Sequence, residues 1–461
     1  MRDLVRRNPW FFAAIVVAAA LLRAIFIHYF PSVANDSRIY GDIAKNWLLH
    51  GIYGVSSGYG ISPTYIRLPG YPAFLAFVFA IFGVDHYRTV LVVQLFVDLG
   101  TCFLCASIAL QLLGERSARV AFVLAALCPF LANYSGAALT ETLEVFFTAL
   151  ALDFALRGLS RPAAKHWGGC GVACAAAILL RPDGAILPFV IVVCLAWRAV
   201  FPKGPASRGK ILHAALLVAA LSVLPLVPWT LRNWHTFHRF QPLAPRYANE
   251  EGEFVPMGFN HWMETWIADY TSTEEVYWAV PGSPLDAEKL PPRAFDTPQQ
   301  HDETAQLIAD YNEVLYVSPE IDQRFKALAR ERTRAHPVRG YVELPVLRIL
   351  DMWLRPRTEM LPSDSRWWEF DDEPKWSVLA VSLGVIGLFY CICGIAGWLR
   401  ARPLAGTGLL LVFVILRSGF LGTLENPEPR YTLEMYPVAI VFAAAALMRR
   451  IAAESPALQK S

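Results

Sequence analysis

Ten long apolar runs dominate this chain, at about 10–30, 90–113, 118–134, 139–157, 167–180, 184–200, 211–231, 376–399, 404–423 and 431–449. Each approaches the roughly 20 residues that a helix needs to cross a bilayer. Within lipid the backbone must satisfy its own hydrogen bonds, which leaves helices as the natural state of such runs. Composition agrees, since 55% of the 461 residues are hydrophobic, 17% are charged and the mean hydropathy is +0.37, well outside the range of soluble globules. The expected fold class is an all-α polytopic membrane protein with about 10–11 transmembrane helices. Interfacial helices are expected in the first extracytoplasmic loop, together with a mostly helical extracytoplasmic segment further on.

An eleventh run, RLPGYPAFLAFVFAIFG at 67–83, is short and carries Pro69 and Pro72. Charge decides how it is counted. If it does not cross, the segments on the N-terminal side of the membrane hold seventeen Lys or Arg, from Arg2 to Lys460, against Asp3, Glu115 and Glu454. The positive-inside rule makes that side cytoplasmic. If the run did cross, every basic loop after residue 90 would lie outside, so it is expected to be re-entrant or interfacial.

Two outer pieces follow from this parity. The first, 31–89, sits within an N-terminal transmembrane module at 1–234. The second, 235–375, carries 25 acidic against 15 basic residues, and C-terminal transmembrane helices fill 376–461. HDETAQLIADYNEVLYV is expected to be helical. Ser318 followed by Pro319 reads as the start of a second helix, and VRGYVELPVLRILDMWL as an interfacial one. At the N-terminus, the basic start and the apolar stretch resemble a signal sequence, and Ser32-Val33-Ala34 imitates a cleavage site. That triplet lies far beyond Leu22, so an uncleaved anchor is expected. The location implied is a bacterial inner membrane, with the site facing the exterior or periplasm.

Several function classes are disfavoured. All eight cysteines fall in apolar runs, where a thiol behaves as a small hydrophobe, and Cys102 and Cys105 have no second pair to complete a zinc site. DxD and HExxH are absent, and no nucleic-acid signature appears. His235 and His238 lack a matching carboxylate motif. No metal ligand is assigned and no cofactor is required, although a divalent ion remains compatible. Asp371-Asp372-Glu373 reads as solvated loop. Asp98 and Arg417 fall inside spans, where an unpaired charge is costly, so both are expected to face partners or a cavity.

The stretch NDSRIYGDIAKNWLLHGIYG has helical spacing. Ile39, Ile43 and Trp47 share a face, with Tyr40, Ala44 and Leu48 beside them and Gly51 as the stop. Asp36 then stands at or next to the N-cap, at the membrane surface. By spacing alone it is a cap. Joined to IRLPGYPAFLAFVFAIFG about thirty residues later, however, this stretch resembles the first outer loop of GT-C-type membrane glycosyltransferases, the class of protein O-mannosyltransferases and lipid A aminoarabinose transferases. The similarity continues in LTETLEVFFTALALDFALRG, LLRPDGAILP, PWTLRNWHTFHRFQPL, ALARERTRAHPVRGYVELPVLRILDMW and PRYTLEMYPVAIVFAAA. It covers nearly the whole chain in order.

What the resemblance implies is transfer of a sugar from a polyprenyl-phosphate donor to a glycan, lipid or protein acceptor on the extracytoplasmic face. Asp36 would act as base or orient the acceptor, and inversion is expected. A phosphate leaves without a general acid if cations take up its charge, so one carboxylate and arginines suffice where a glycosidase needs two carboxylates. Arg67 takes the position of a phosphate-binding lysine in the aminoarabinose transferases, a departure in residue type that keeps the charge and adds bidentate geometry; the alternative is that it snorkels to lipid headgroups. Glu141 is the second catalytic candidate, or else a helix-terminal charge suited to the dipole. Arg430 is a second donor-phosphate contact, and Tyr40, Arg181, Arg232, Asn233 and Tyr431 are candidate substrate contacts. A flippase or transporter of lipid-linked sugar is the rival, but it should show internal repeats and midplane sites.

Overall fold

The computed structural model describes residues 1–33, 35–201, 207–370, 373–402 and 404–448. Ala34 of the cleavage-like triplet, Asp371 and Asp372, and the expected cytoplasmic charges Lys203, Arg449, Arg450, Glu454 and Lys460 lie outside the described residues. The rest is a helical bundle with one small hairpin, as the apolar runs require.

Among the described residues, five helical stretches are long and apolar enough to cross a membrane: Pro9–Tyr29, Tyr87–Leu113, Pro182–Val200, Arg208–Phe237 and Pro374–Ala401. Three shorter apolar helices, Gly70–Phe82, Ala164–Leu180 and Thr407–Gly422, pack among them. We label the helices used below α1 (Pro9–Tyr29), α2 (Asn35–His50), α3 (Gly70–Phe82), α4 (Tyr87–Leu113), α5 (Glu115–Ala126), α6 (Pro129–Tyr134), α7 (Glu141–Ser160), α8 (Ala164–Leu180), α9 (Ile186–Val200), α10 (Arg208–Val223) and α11 (Leu226–Phe237). The segment at 235–375 adds α12 (Met257–Glu264), α13 (Pro298–Val314), α14 (Pro319–Ala335) and α15 (Leu344–Leu354), and α16 (Pro374–Ala401), α17 (Thr407–Gly422) and α18 (Tyr436–Leu447) complete the bundle.

Proline sets several of these boundaries. The apolar run at 118–134 is two helices, α5 and α6, because Pro129 cannot continue the first and instead opens the second. Pro225 divides α10 from α11 in the same way. The doubtful run at 67–83 becomes α3, whose 13 residues extend about 20 Å, short of the roughly 30 Å hydrocarbon core.

The segment at 31–89 holds α2 and a hairpin, β1 (Gly54–Ser57) with β2 (Gly60–Pro63), registered Gly54 to Pro63. Asp42 fastens the hairpin to α2 by accepting hydrogen bonds from Ser56 N and from Ser56 Oγ at 2.7 Å. The face that α2 buries is Tyr40, Ile43 and Ala44, while Trp47 and Leu48 stay partly exposed. That face is rotated from the expected Ile39-Ile43-Trp47 stripe because α3 and α4 supply the apolar cover over Tyr40.

Within 235–375, Thr297 and Ser318 cap α13 and α14, each with proline at the first helical position. Residues Phe259 to Ala329 enclose their own core around Trp262 and Trp266. Met352 of α15 instead belongs to the core of the bundle, so the last part of the outer segment is packed down onto the spans.

The two ends of the bundle differ. Arg7 pairs with Glu115 at the turn between α4 and α5. At the other end, Ser32 N–H donates to Gly136 O and Ala138 N–H donates to Ser32 O, both at 2.9 Å. This short parallel bridge brings the start of α2 beside the start of α7. Gly70 completes the arrangement: a Cβ there would stand 2.5 Å from the Leu179 carbonyl, so only glycine lets α3 begin against the end of α8.

Candidate active site

These two junctions bring the start of α2, the approach to α3, the start of α7 and the end of α8 to one end of the bundle, where the turn before α18 also lies. A cavity of about 610 Å³ opens there, within the range of small-molecule sites. Its wall carries four arginines, Arg67, Arg181, Arg246 and Arg430, and four carboxylates, Asp36, Asp183, Glu425 and Glu428.

Asp36 lies in the first turn of α2 and accepts a hydrogen bond from Arg67 Nη2 at 2.8 Å. Its side chain remains 40% exposed, so the carboxylate is held yet still reachable. Arg67 stands over the Tyr40 ring at 5.5 Å, and its Nε is buried without a partner. Burial pushes the Tyr40 phenol up to about 12, which keeps it a protonated hydrogen-bond donor at the cavity wall.

Arg181 and Arg430 form the second half. Both approach Glu141 Oε1, at 3.8 and 3.6 Å, and both lie against the Tyr431 ring, at 4.8 and 5.5 Å. Arg181 also pairs with Glu144 at 3.3 Å and Asp183 at 3.2 Å, and Arg430 with Glu428 at 2.6 Å. Glu141 is only 3% exposed and sits behind the two arginines rather than in the cavity wall. Its Oε2 is buried without a hydrogen-bond partner. Behind this layer Arg417 joins Asp183 at 2.9 Å to Glu434 at 2.5 Å, which supplies the partners expected for a charge inside a span.

The structure therefore brings Asp36, Tyr40, Arg67, Arg181, Arg430 and Tyr431 to one cavity, with Glu141 directly behind. It does not bring Arg232 and Asn233 there. Arg232 donates to Thr64 O at 2.6 Å and Tyr53 O at 2.7 Å, and Asn233 donates to Gln241 O at 2.8 Å. Arg232 thereby fastens both flanks of the hairpin to α11, and Asn233 holds the chain that follows this helix. Sequence reading missed Arg246, Glu425, Glu428 and Asp183. Glu425 and Glu428 were findable, because ENPEPR places two acids and an arginine between two apolar runs. Arg246 lies in an aperiodic stretch and gives no local signal. Among the described residues no three His, Cys, Asp or Glu side chains group as a metal site.

Residues 64–229 match the model of a family described as dolichyl-phosphate-mannose-protein mannosyltransferase. No curated protein matches the chain. Among solved structures, the archaeal oligosaccharyltransferase AglB from Archaeoglobus fulgidus, in complex with an inhibitory peptide and a dolichol-phosphate, aligns with a TM-score of 0.52 at 14% identity, covering 96% of this chain and 50% of its own. The apo form of the same enzyme aligns with a TM-score of 0.52 at 13% identity, covering 96% and 51%. ArnT from Cupriavidus metallidurans bound to undecaprenyl phosphate aligns with a TM-score of 0.43 at 13% identity, covering 94% and 77%. The chain spans about half the length of the archaeal enzyme whose fold it shares.

Proposed function

We propose that this chain, a GT-C-type integral membrane protein by its matched segment and its fold, is a glycosyltransferase that moves a sugar from a polyprenyl-phosphate carrier to a hydroxyl or amine acceptor, with inversion, on the extracytoplasmic face. The observation that carries this reading is the convergence of the Asp36–Arg67 pair with Arg181 and Arg430 on one cavity. The basic turns support the sidedness, because Arg7 and Glu115 mark the opposite end of the bundle. The matched family uses dolichyl-phosphate-mannose by its description, and the archaeal structure holds dolichol-phosphate; both are the carrier chemistry proposed here.

In the proposed reaction the acceptor oxygen or nitrogen attacks the anomeric carbon and the bond from that carbon to the phosphate oxygen breaks. The electron pair leaves with the phosphate, and the acceptor proton passes to Asp36. Such proton transfer is typically worth about 10² to 10⁴ in rate. Arg67 and Arg430 would take up the charge growing on the phosphate, with Arg181 beside them. Their standing contacts to Asp36 and Glu428 keep them in place before the donor arrives. Glu141, buried between Arg181 and Arg430, would orient both. Tyr40 would donate to the sugar or phosphate, and Tyr431 would support the guanidinium planes. This scheme needs no resident cofactor. The division into a transmembrane module at 1–234, an outer segment at 235–375 and terminal helices at 376–461 remains part of the proposal.

The test is to incubate purified protein with labelled polyprenyl-phosphate sugars and membrane extract and follow which label leaves the lipid. Label that stays on every carrier overturns the enzymatic reading and favours lipid transport. Against transport stands the position of the charged cavity, at one end of the bundle rather than at its middle.

A further inference from the structure

A second cavity, of about 380 Å³, adjoins the first. Tyr247 and Tyr277 line both, so the two spaces share a wall between the bundle and the outer segment. Their chemistry differs sharply. Eight charged side chains line the first, whereas Glu253 is the one charged residue lining the second. The remainder is mainly ring and amide: Phe254, Tyr277, Tyr316 and Asn260 carry the chemistry.

Asn260 is the telling residue. It opens into this cavity from α12, is only 4% exposed, and its side-chain amide has no hydrogen-bond partner among the described residues. Buried polar groups are normally paired, so a ligand that supplies the missing bonds is favoured. An asparagine amide offers two donors and an acceptor, which suits adjacent hydroxyls on a sugar ring. Aromatic faces suit the apolar C–H face of the same ring. A lipid tail would need a continuous apolar lining, and a peptide would need a strand edge or charged anchors. Here the apolar lining is interrupted by Asn249, Glu253 and Asn260, and the wall offers one charged side chain and no strand.

We propose that this second cavity is the acceptor subsite and takes a neutral saccharide, with a ring on the Phe254, Tyr277 and Tyr316 wall and a hydroxyl on Asn260. The assignment to an acceptor rests on the glycosyltransferase reading above. Tyr247 and Tyr277, shared by both spaces, would set the passage from acceptor to donor.

Saturation-transfer NMR on the purified full-length chain tests this with mannotriose, chitotriose and maltotriose, and with trialanine as the peptide probe. At least one trisaccharide is expected to bind. Tyr316→Ala and Asn260→Ala should each weaken it roughly tenfold. Tyr316 is 49% exposed, so its variant should keep the parent melting temperature even if Asn260→Ala folds poorly. No trisaccharide signal, a signal untouched by the Tyr316 substitution, or binding of trialanine alone overturns the proposal. Failure of the glycosyltransferase reading is seen separately, in the release of labelled sugar from lipid.

Discussion

Two arginine–aspartate pairs in this protein look alike on paper and differ in what surrounds them. Arg23 and Asp98 meet inside the bundle at 2.6 Å, with side chains 0% and 2% exposed. Arg23 further donates to Ala126 O at 2.6 Å, Ala19 O at 3.1 Å and Ala125 O at 3.3 Å, so the pair is closed and offers little to a ligand. Arg67 and Asp36 meet at 2.8 Å in an open cavity, with side chains 18% and 40% exposed, and Arg67 Nε has no partner. The first pair joins α1 to α4 and to the end of α5. The second leaves hydrogen-bonding capacity unspent where a substrate can reach it. A buried charge is evidence of a site only when its neighbours leave it incomplete.

The sharpest way to break this comparison is to neutralise each aspartate. Asp36→Asn retains a capping side chain but cannot take the proton, and transfer should fall by about 10² to 10⁴ while the melting temperature holds. Unchanged transfer would remove Asp36 from the mechanism. Asp98→Ala should do the reverse. It strands Arg23 in the bundle at a cost of about 3–5 kcal/mol, read as loss of folded protein in detergent unfolding, and if stability survives, the closed pair is not structural.

A smaller effect separates charge from geometry at the donor contact. Arg67→Lys keeps the positive charge but loses the bidentate fork, so transfer should drop roughly tenfold, mainly through weaker donor binding, for a free-energy change of about 1.4 kcal/mol. A loss as deep as that of Asp36→Asn would mean that Arg67 holds the aspartate rather than the phosphate.

The smallest effect concerns Asp351, at the seam between outer segment and bundle. It accepts from Tyr270 N at 3.0 Å, and burial pushes its carboxyl up to about 6. The folded state therefore holds this proton more tightly than the unfolded chain does, and stability should decline as pH rises through about 4 to 6 and then level off. Asp351→Asn should flatten that part of a melting-temperature profile. A profile identical to the parent's would show that Asp351 does not titrate in this window.

Much of this was legible before any coordinates. The apolar runs located the helices, and the Ser318-Pro319 start and the Gly51 stop fell where local chemistry placed them. The hairpin at 54–63 escaped because its strands are four residues each and lie in a glycine- and serine-rich stretch without clear alternation. At the site, Asp36 and Arg67 were found through resemblance, since a lone aspartate at a helix start has the same spacing whether it caps or reacts. Arg232 and Asn233 were chosen for their position near a membrane end, a criterion that cannot distinguish a cavity wall from a backbone brace. Glu141 was placed at the right helix end, but its depth behind Arg181 and Arg430 depends on two other segments.

By itself the sequence determined that the chain is helical and membrane-embedded, because apolar length and backbone self-satisfaction are local properties that each segment carries alone. Tertiary structure decided which charges meet. Asp36, Arg67, Arg181 and Arg430 are brought together by the Ser32 bridge, by the close approach at Gly70 and by the turn before α18. Whether a charge ends closed like Arg23 or open like Arg67 depends on the carbonyls and rings that distant segments place around it, and no local pattern encodes them.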